Sequence, residues 1–125
     1  QTCYAKYAKE QEAYFLKPLD RKTEIYQDFC RLVLAHYHEW HHVNQYAQAM
    51  RLTLPHLCST IKQVGERTAG DIITEAVLND AKSQLKITTL PIKEIAHNLG
   101  FDNVAFFNRF FKSHVGVTPK VYRTV

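Results

Sequence analysis

The sequence predicts an all-α chain of about seven helices, arranged as two helix-turn-helix, homeodomain-like lobes joined by a long linker helix. Three observations lead there. No run of alternating apolar and polar residues is long enough for a strand, and the β-branched residues recur at helical intervals. Proline, glycine and capping residues punctuate the chain at the spacing of short helices. The skeleton of segment 46–62 returns at 95–112.

Residues 1–17 are rich in Ala, Lys, Glu and Gln, but Tyr4, Tyr7, Tyr14 and Phe15 make no clean stripe. They read as a linker or as the frayed end of a helix belonging to a preceding region. Pro18 then Asp20 supplies a stop and a cap. Ile25, Phe29, Leu32, Val33 and Tyr37 follow at helical spacing, predicting a helix over about 20–39. A short helix is expected at about 43–50, with Val43, Tyr46, Ala47 and Met50 on one face. Thr53 caps the next, at about 54–64, where Pro55 fits the first turn, Leu57, Ile61 and Val64 face inward, and Gly65 ends the run. Residues 69–86 form the longest regular stretch, with Ile72, Ile73, Ala76, Val77, Ala81 and Leu85 spaced by three and four. Pro91 opens a helix carrying Ile92, Ile95, Ala96 and Leu99, which Gly100 closes. Asp102 is expected to cap a helix at about 103–113 in which Phe107, Phe110, Phe111 and His114 share a face. Gly116 stops it, and Thr118-Pro119 starts a last turn through Tyr122.

The 125 residues are 46% hydrophobic and 22% charged with only 4 Gly and 4 Pro, a mix able to bury a core. No apolar run approaches the roughly 20 residues of a membrane span. With no leading Met and no signal segment, the chain reads as a piece of a longer protein. Cys3, Cys30 and Cys58 are odd in number and widely spaced, which argues against a disulfide framework and a cysteine zinc site and fits a reducing, cytoplasmic home. Acidic and basic residues balance over 1–50 and again over 51–102. The net +4 therefore resides in 103–125, where Arg109, Lys112, Lys120 and Arg123 meet no acid. Positive charge so concentrated attracts a phosphate backbone, although a basic tail also keeps a protein soluble.

The sequence holds no Ser-His-Asp arrangement, phosphate-cradling glycine loop or paired-carboxylate set, so an enzyme and a cofactor are not expected. His36, His38, His41 and His42 cluster; on a helix, His38 and His42 would lie at i, i+4 and could share a metal. No acid or Cys completes a set, so a solvated helix end is the preferred reading and no metal is assigned.

Within the repeat, Ala47 matches Ala96 at an offset of 49, while Leu57 with Phe107, Ile61 with Phe111 and Lys62 with Lys112 match at 50. The extra residue falls in the turn. Each copy reads as helix, tight turn and capped second helix, the pattern whose second helix enters a DNA major groove. Two such helices on one side of a duplex must lie roughly 34 Å apart to reach successive grooves.

DAKSQL at 80–85 followed by IKEIAHNLGFDNVAFFNRFFKSHVGVTPKVYR at 92–123 resembles the C-terminal signature of AraC/XylS-type bacterial transcription regulators. The matching skeleton is Ile95-Ala96, Gly100-Phe101, Phe107, Arg109, Phe111-Lys112, Gly116, Thr118-Pro119 and Tyr122-Arg123. The resemblance covers about 20–125. It implies a two-lobed, seven-helix DNA-binding domain, with lobe one at about 20–68, a linker helix at 69–86 and lobe two at about 87–125. Residues 1–19 would then be a linker from a separate sensing or dimerising region, and double-stranded DNA and RNA polymerase the partners. The first copy departs from the pattern: Arg51 stands where the turn often has Gly, and Gly65-Glu66 inverts the usual polar-then-Gly order.

In the second recognition helix, Arg109 can offer a fork to guanine, Asn108 can pair with adenine, and Val104 and Ala105 can touch a thymine methyl. In the first, His56, Ser59, Thr60 and Gln63 are the expected base readers, with no Arg among them. Lys62, Arg67, Lys112, Lys120 and Arg123 are cast as phosphate contacts, Arg123 alternatively packing against the body of the fold. The competing reading is a helical protein-interaction module with only non-specific DNA affinity.

Overall fold

A computed structural model describes residues 20–125, and among them the chain forms seven helices and no strand. They are α1 (Arg21–His36), α2 (Val43–Ala49), α3 (Leu54–Gly65), α4 (Ala69–Ile87), α5 (Ile92–Asn98), α6 (Val104–Val115) and α7 (Pro119–Thr124). The expectation for residues 1–17 and Pro18 lies outside the described residues.

The repeat is a repeat of structure. α2 and α5 have 7 residues each and α3 and α6 have 12 each, in matching positions. Both turns are closed by the same bond: Leu52 N–H donates to the Ala47 carbonyl at 2.9 Å, and Phe101 N–H to the Ala96 carbonyl at 3.0 Å. Thr53 caps α3 by accepting from His56 N–H. Its counterpart is Asn103, which accepts from Phe106 N–H at 2.9 Å. The expected cap Asp102 is thus corrected by one residue. Asp102 is the inserted turn residue, and the helix offset of 50 already pointed from Thr53 to Asn103.

Two positions in each lobe adopt left-handed backbone. Lobe two fills them with Gly100 (φ +85°) and Gly116 (φ +98°), lobe one with Arg51 and Glu66, each at φ +58°. Gly65 is the last residue of α3, as expected, but the left-handed turn falls on Glu66, and the glycine at 65 has a packing cause. A Cβ at Gly65 would stand 2.4 Å from the Tyr26 ring, so the glycine is spent on α1.

α4 is the shared beam. At 1.5 Å per residue its 19 residues span roughly 28 Å. Ala69, Ile73, Val77, Ala81 and Leu85, one every four residues, are buried along it. α1, α2 and α3 pack against it on the lobe-one side, α5 and α7 on the lobe-two side. From lobe one, Ile25, Phe29, Val33, Tyr46, Leu57 and Ile61 join its core; Ile95, Leu99, Phe107 and Phe111 join it from lobe two. A polar chain runs alongside. The Tyr37 hydroxyl donates to Asp80 at 2.6 Å, Gln84 donates to the other Asp80 oxygen at 2.9 Å, and Asn98 of α5 donates to Gln84 at 3.4 Å.

α1 stops at His36, three residues short of expectation. Residues 37–39 turn, so that the Trp40 ring stacks on His36 at 3.9 Å and Glu39 pairs with the His36 imidazole at 2.7 Å. The turn brings lobe one against lobe two. His41 Nε2–H donates to the Leu99 carbonyl at 2.7 Å, and its ring lies 4.8 Å from Phe101. At Gly100 the backbones come so close that a Cβ would stand 2.3 Å from the His38 carbonyl oxygen.

Gly100 and Gly116 separate close approach from backbone conformation. Gly116→Ala meets nothing within 4 Å and should cost only the left-handed penalty, about 1–2 kcal/mol. Gly100→Ala adds a collision with backbone and should cost about 3 kcal/mol or more in urea unfolding; equal losses would refute the tight seam. Arg51→Gly and Glu66→Gly should each stabilise by about 0.5–1 kcal/mol, strain relief outweighing glycine's entropy.

The hydrogen bond to Asp80, together with burial, pushes the Tyr37 phenol from its ordinary 10 up to about 12. Burial, with the Glu39 charge, does the same for Tyr46, whose hydroxyl donates to the Trp40 carbonyl at 2.9 Å. The raised values mean that the fold favours the neutral phenols. Their contribution is intact below pH 10 and is lost as pH rises through 12. Unfolding stability should therefore fall over that window, and less steeply in Tyr37→Phe; an unchanged slope would refute the coupling to Asp80.

Candidate nucleic-acid interface

The second helix of each lobe turns one face into the core and one outward. In α6, Phe107 and Phe111 are fully buried. The opposite face exposes Ala105, Phe106, Arg109, Lys112 and Ser113, with Arg109 at its centre; Val104 and Asn108 sit half-buried at the edge. In α3, Leu57 and Ile61 are buried, and Pro55, His56, Ser59, Lys62 and Gln63 are exposed. Thr60 is not with them. It is 5% exposed, three residues from Leu57 on the inward face, and is corrected from base reader to core residue.

The repeat aligns the two outer faces. Ser59 holds the place of Arg109, His56 that of Phe106, and Lys62 that of Lys112. The faces differ in how far their side chains are already engaged. Gln63 accepts a hydrogen bond from Lys22 at 2.8 Å and lies 3.5 Å from the Ser59 hydroxyl. In lobe two, the Arg109 guanidinium lies over the Phe106 ring, 4.9 Å from its centroid. Phe106 is 52% exposed, a large aromatic surface on the outer face that the sequence reading missed. Its signal was the paired run Phe106-Phe107 and Phe110-Phe111, in which only one ring of each pair can point fully inward.

Among the described residues, Arg109, Lys62, Lys112 and Lys120 form no ion pair, and all four are exposed. The remaining two basic candidates are occupied. Arg67 pairs with Glu75 and donates to the Asp71 carbonyl at 3.3 Å, bracing the α3–α4 corner. Arg123 is half-buried and donates to the carbonyls of Leu85 (3.1 Å) and Thr88 (3.5 Å). The end of α4 leaves carbonyls without intrahelical partners, and Arg123 satisfies them. This is the packing alternative that the sequence offered for Arg123, which clamps α7 to the end of α4.

The histidine run is dispersed rather than gathered. Because α1 ends at His36, His38 and His42 do not share a helix face. His36 engages Glu39, His41 engages Leu99, and His42 N–H is capped by the Gln45 side chain at 3.1 Å. Among the described residues no group of three or more His, Cys, Asp or Glu side chains is placed to hold a metal, and no helix is long and apolar enough to cross a membrane. Burial raises the Cys30 thiol, making it a poor nucleophile. An open cleft of about 510 Å³ separates the lobes, bordered by His42, Thr74, Phe101, Asp102 and Phe106.

The comparisons agree with this architecture. Residues 46–124 match the family model described as "Helix-turn-helix domain". The C-terminal domain of AraT, a response regulator from Geobacillus stearothermophilus, superposes with a TM-score of 0.77 at 26% identity, over 84% of this chain and 88% of that one. The DNA-binding domain of AdpA, a global transcriptional factor solved in complex with a target DNA, shares the fold with a TM-score of 0.69 at 18% identity, over 85% of this chain and 92% of that one. The xylose operon regulatory protein of Escherichia coli K12 is 32% identical over 83 residues, which are 66% of this chain and 21% of that regulator. The chain spans about a third or less of the length of most curated relatives it matches. With the family model covering both second helices, the duplicated turn and the shared linker helix, the chain belongs to the AraC/XylS-type helix-turn-helix family of transcription regulators.

Proposed function

We propose that this domain binds double-stranded DNA in a sequence-dependent way, inserting α3 and α6 into successive major-groove segments as the reading part of a transcription regulator. The observation that carries the reading is the outer face of α6, an exposed stripe centred on Arg109 and supported from behind by two fully buried phenylalanines. A rigid helix face centred on a guanidinium that forms no ion pair among the described residues suits the paired acceptors of guanine. Asn108 from the edge of the stripe suits adenine, and Val104 and Ala105 suit a thymine methyl. His56, Ser59 and Gln63 are the corresponding readers of lobe one. Lys62, Lys112 and Lys120 serve the phosphates, which set register without specifying sequence.

Lobe one would run over residues 20–68 and lobe two over 87–125, with 1–19 leading from a sensing or dimerising region. The setting is the bacterial cytoplasm, with RNA polymerase as the protein partner, and there is no catalytic step. One observation favours a second reading for lobe one alone. Its outer face has no arginine, and Gln63 is tied to Lys22, as suits a surface that docks protein.

Selection of bound duplexes from a random pool at near-physiological salt tests the whole. Two enriched blocks about one helical turn apart are expected; salt-sensitive retention of every duplex without enrichment would overturn the reading. Arg109→Ala should cost about 1–3 kcal/mol on the selected site and relax one base position, whereas Lys112→Ala should weaken all sequences alike and lower the salt slope by about 1. Ser59→Glu with Gln63→Glu should lower DNA affinity through repulsion of phosphate. Unchanged affinity would assign α3 to a protein partner.

A further inference from the structure

Leaving a phenylalanine 52% exposed on the outer face of α6 costs apolar burial that an inward position would recover. The neighbouring core does not need it, since Phe101, Phe107 and Phe111 already fill the space in a chain of tilted and edge-on rings. What Phe106 does touch is the side chain one turn further along, where the Arg109 guanidinium lies 4.9 Å from the ring centroid. Positions i and i+3 are neighbours on a helix surface, and a cation over a ring face is attracted by the quadrupole. A long arginine in water samples many rotamers and gives that freedom up when it forms a paired contact. Contact with the ring restricts it beforehand.

We infer that Phe106 is a positioning residue for Arg109: it holds the guanidinium in place before contact, so that lobe two discriminates guanine, by its N7 and O6 acceptors, more sharply than an unsupported arginine would. The inference rests on the reading of α6 proposed above. Lobe one cannot do the same, because the aligned pair there is His56 and Ser59, with no cation to hold.

The test uses the duplex selected by the wild-type chain and the same duplex carrying 7-deazaguanine at the position that Arg109→Ala relaxes. The ratio of the two affinities reports the arginine fork and is blind to a general loss of fold or charge. In Phe106→Leu this ratio should fall about three-fold toward unity, the scale of an exposed cation–π contact. Phe106→Tyr should preserve it, and Phe106→Leu should change nothing further in the Arg109→Ala background. In the free protein, the Arg109 Nε–H resonance should carry a ring-current shift that Phe106→Leu abolishes and Phe106→Tyr keeps. A Phe106→Leu chain that melts like wild type and keeps the full ratio overturns the inference while leaving the reading of α6 intact. So does one that loses affinity equally for both duplexes and equally without Arg109. A wild-type chain that selects no sequence removes the reading, and the inference with it.

Discussion

Both lobes share one side of one helix. The stripe Ile73, Val77, Ala81 and Leu85 on α4 is buried by helices from either end, so neither lobe completes its core without the linker. A helix is stiff over these 19 residues, and a shared apolar stripe prevents rotation about it without exposing leucine and isoleucine to water. Two further contacts restrict what the helix alone would allow. The His41–Leu99 bond and the close passage of Gly100 under His38 join the turns directly, and the Tyr37–Asp80–Gln84–Asn98 chain ties both lobes to the linker's polar side. The outer faces of α3 and α6 are thereby carried on one frame.

The duplication is close in backbone and divergent in chemistry. Lengths, caps and turn-closing bonds agree between the lobes, yet the left-handed positions are glycine in one and Arg51 and Glu66 in the other. Lobe one thus stores strain at positions where lobe two has glycine, while its own glycine at 65, which matches Val115, is required by the Tyr26 ring beside it. The outer faces diverge in the same sense. Lobe two presents an aromatic-backed arginine and a lysine, and lobe one presents small and neutral hydrogen-bonding groups with one lysine.

Helix number, order and inward faces were legible in the sequence, because apolar spacing and cap residues act over a few residues and need no knowledge of neighbours. Arg109 at the centre of α6 was legible for the same reason. So was the cap at Asn103, had the helix offset of 50 been preferred over the chemically attractive Asp102. Thr60 was misread from its polarity although its spacing from Leu57 placed it inward. Phe106 was missed from its apolarity although its spacing placed it outward.

Tertiary structure alone decided which charges are free. Lys62, Lys112, Lys120, Arg67, Arg109 and Arg123 are alike in sequence, and only the meeting of distant segments distinguishes them. Arg123 satisfies the open carbonyls at the end of α4 and Arg67 finds Glu75, while the others remain in solvent. The histidine run followed the same rule: α1 ends at His36, and beyond it His41 finds its partner in Leu99 of the second lobe. Local periodicity determines which way a side chain points, whereas its partner is set by contacts between residues tens of positions apart, which the linear pattern does not encode.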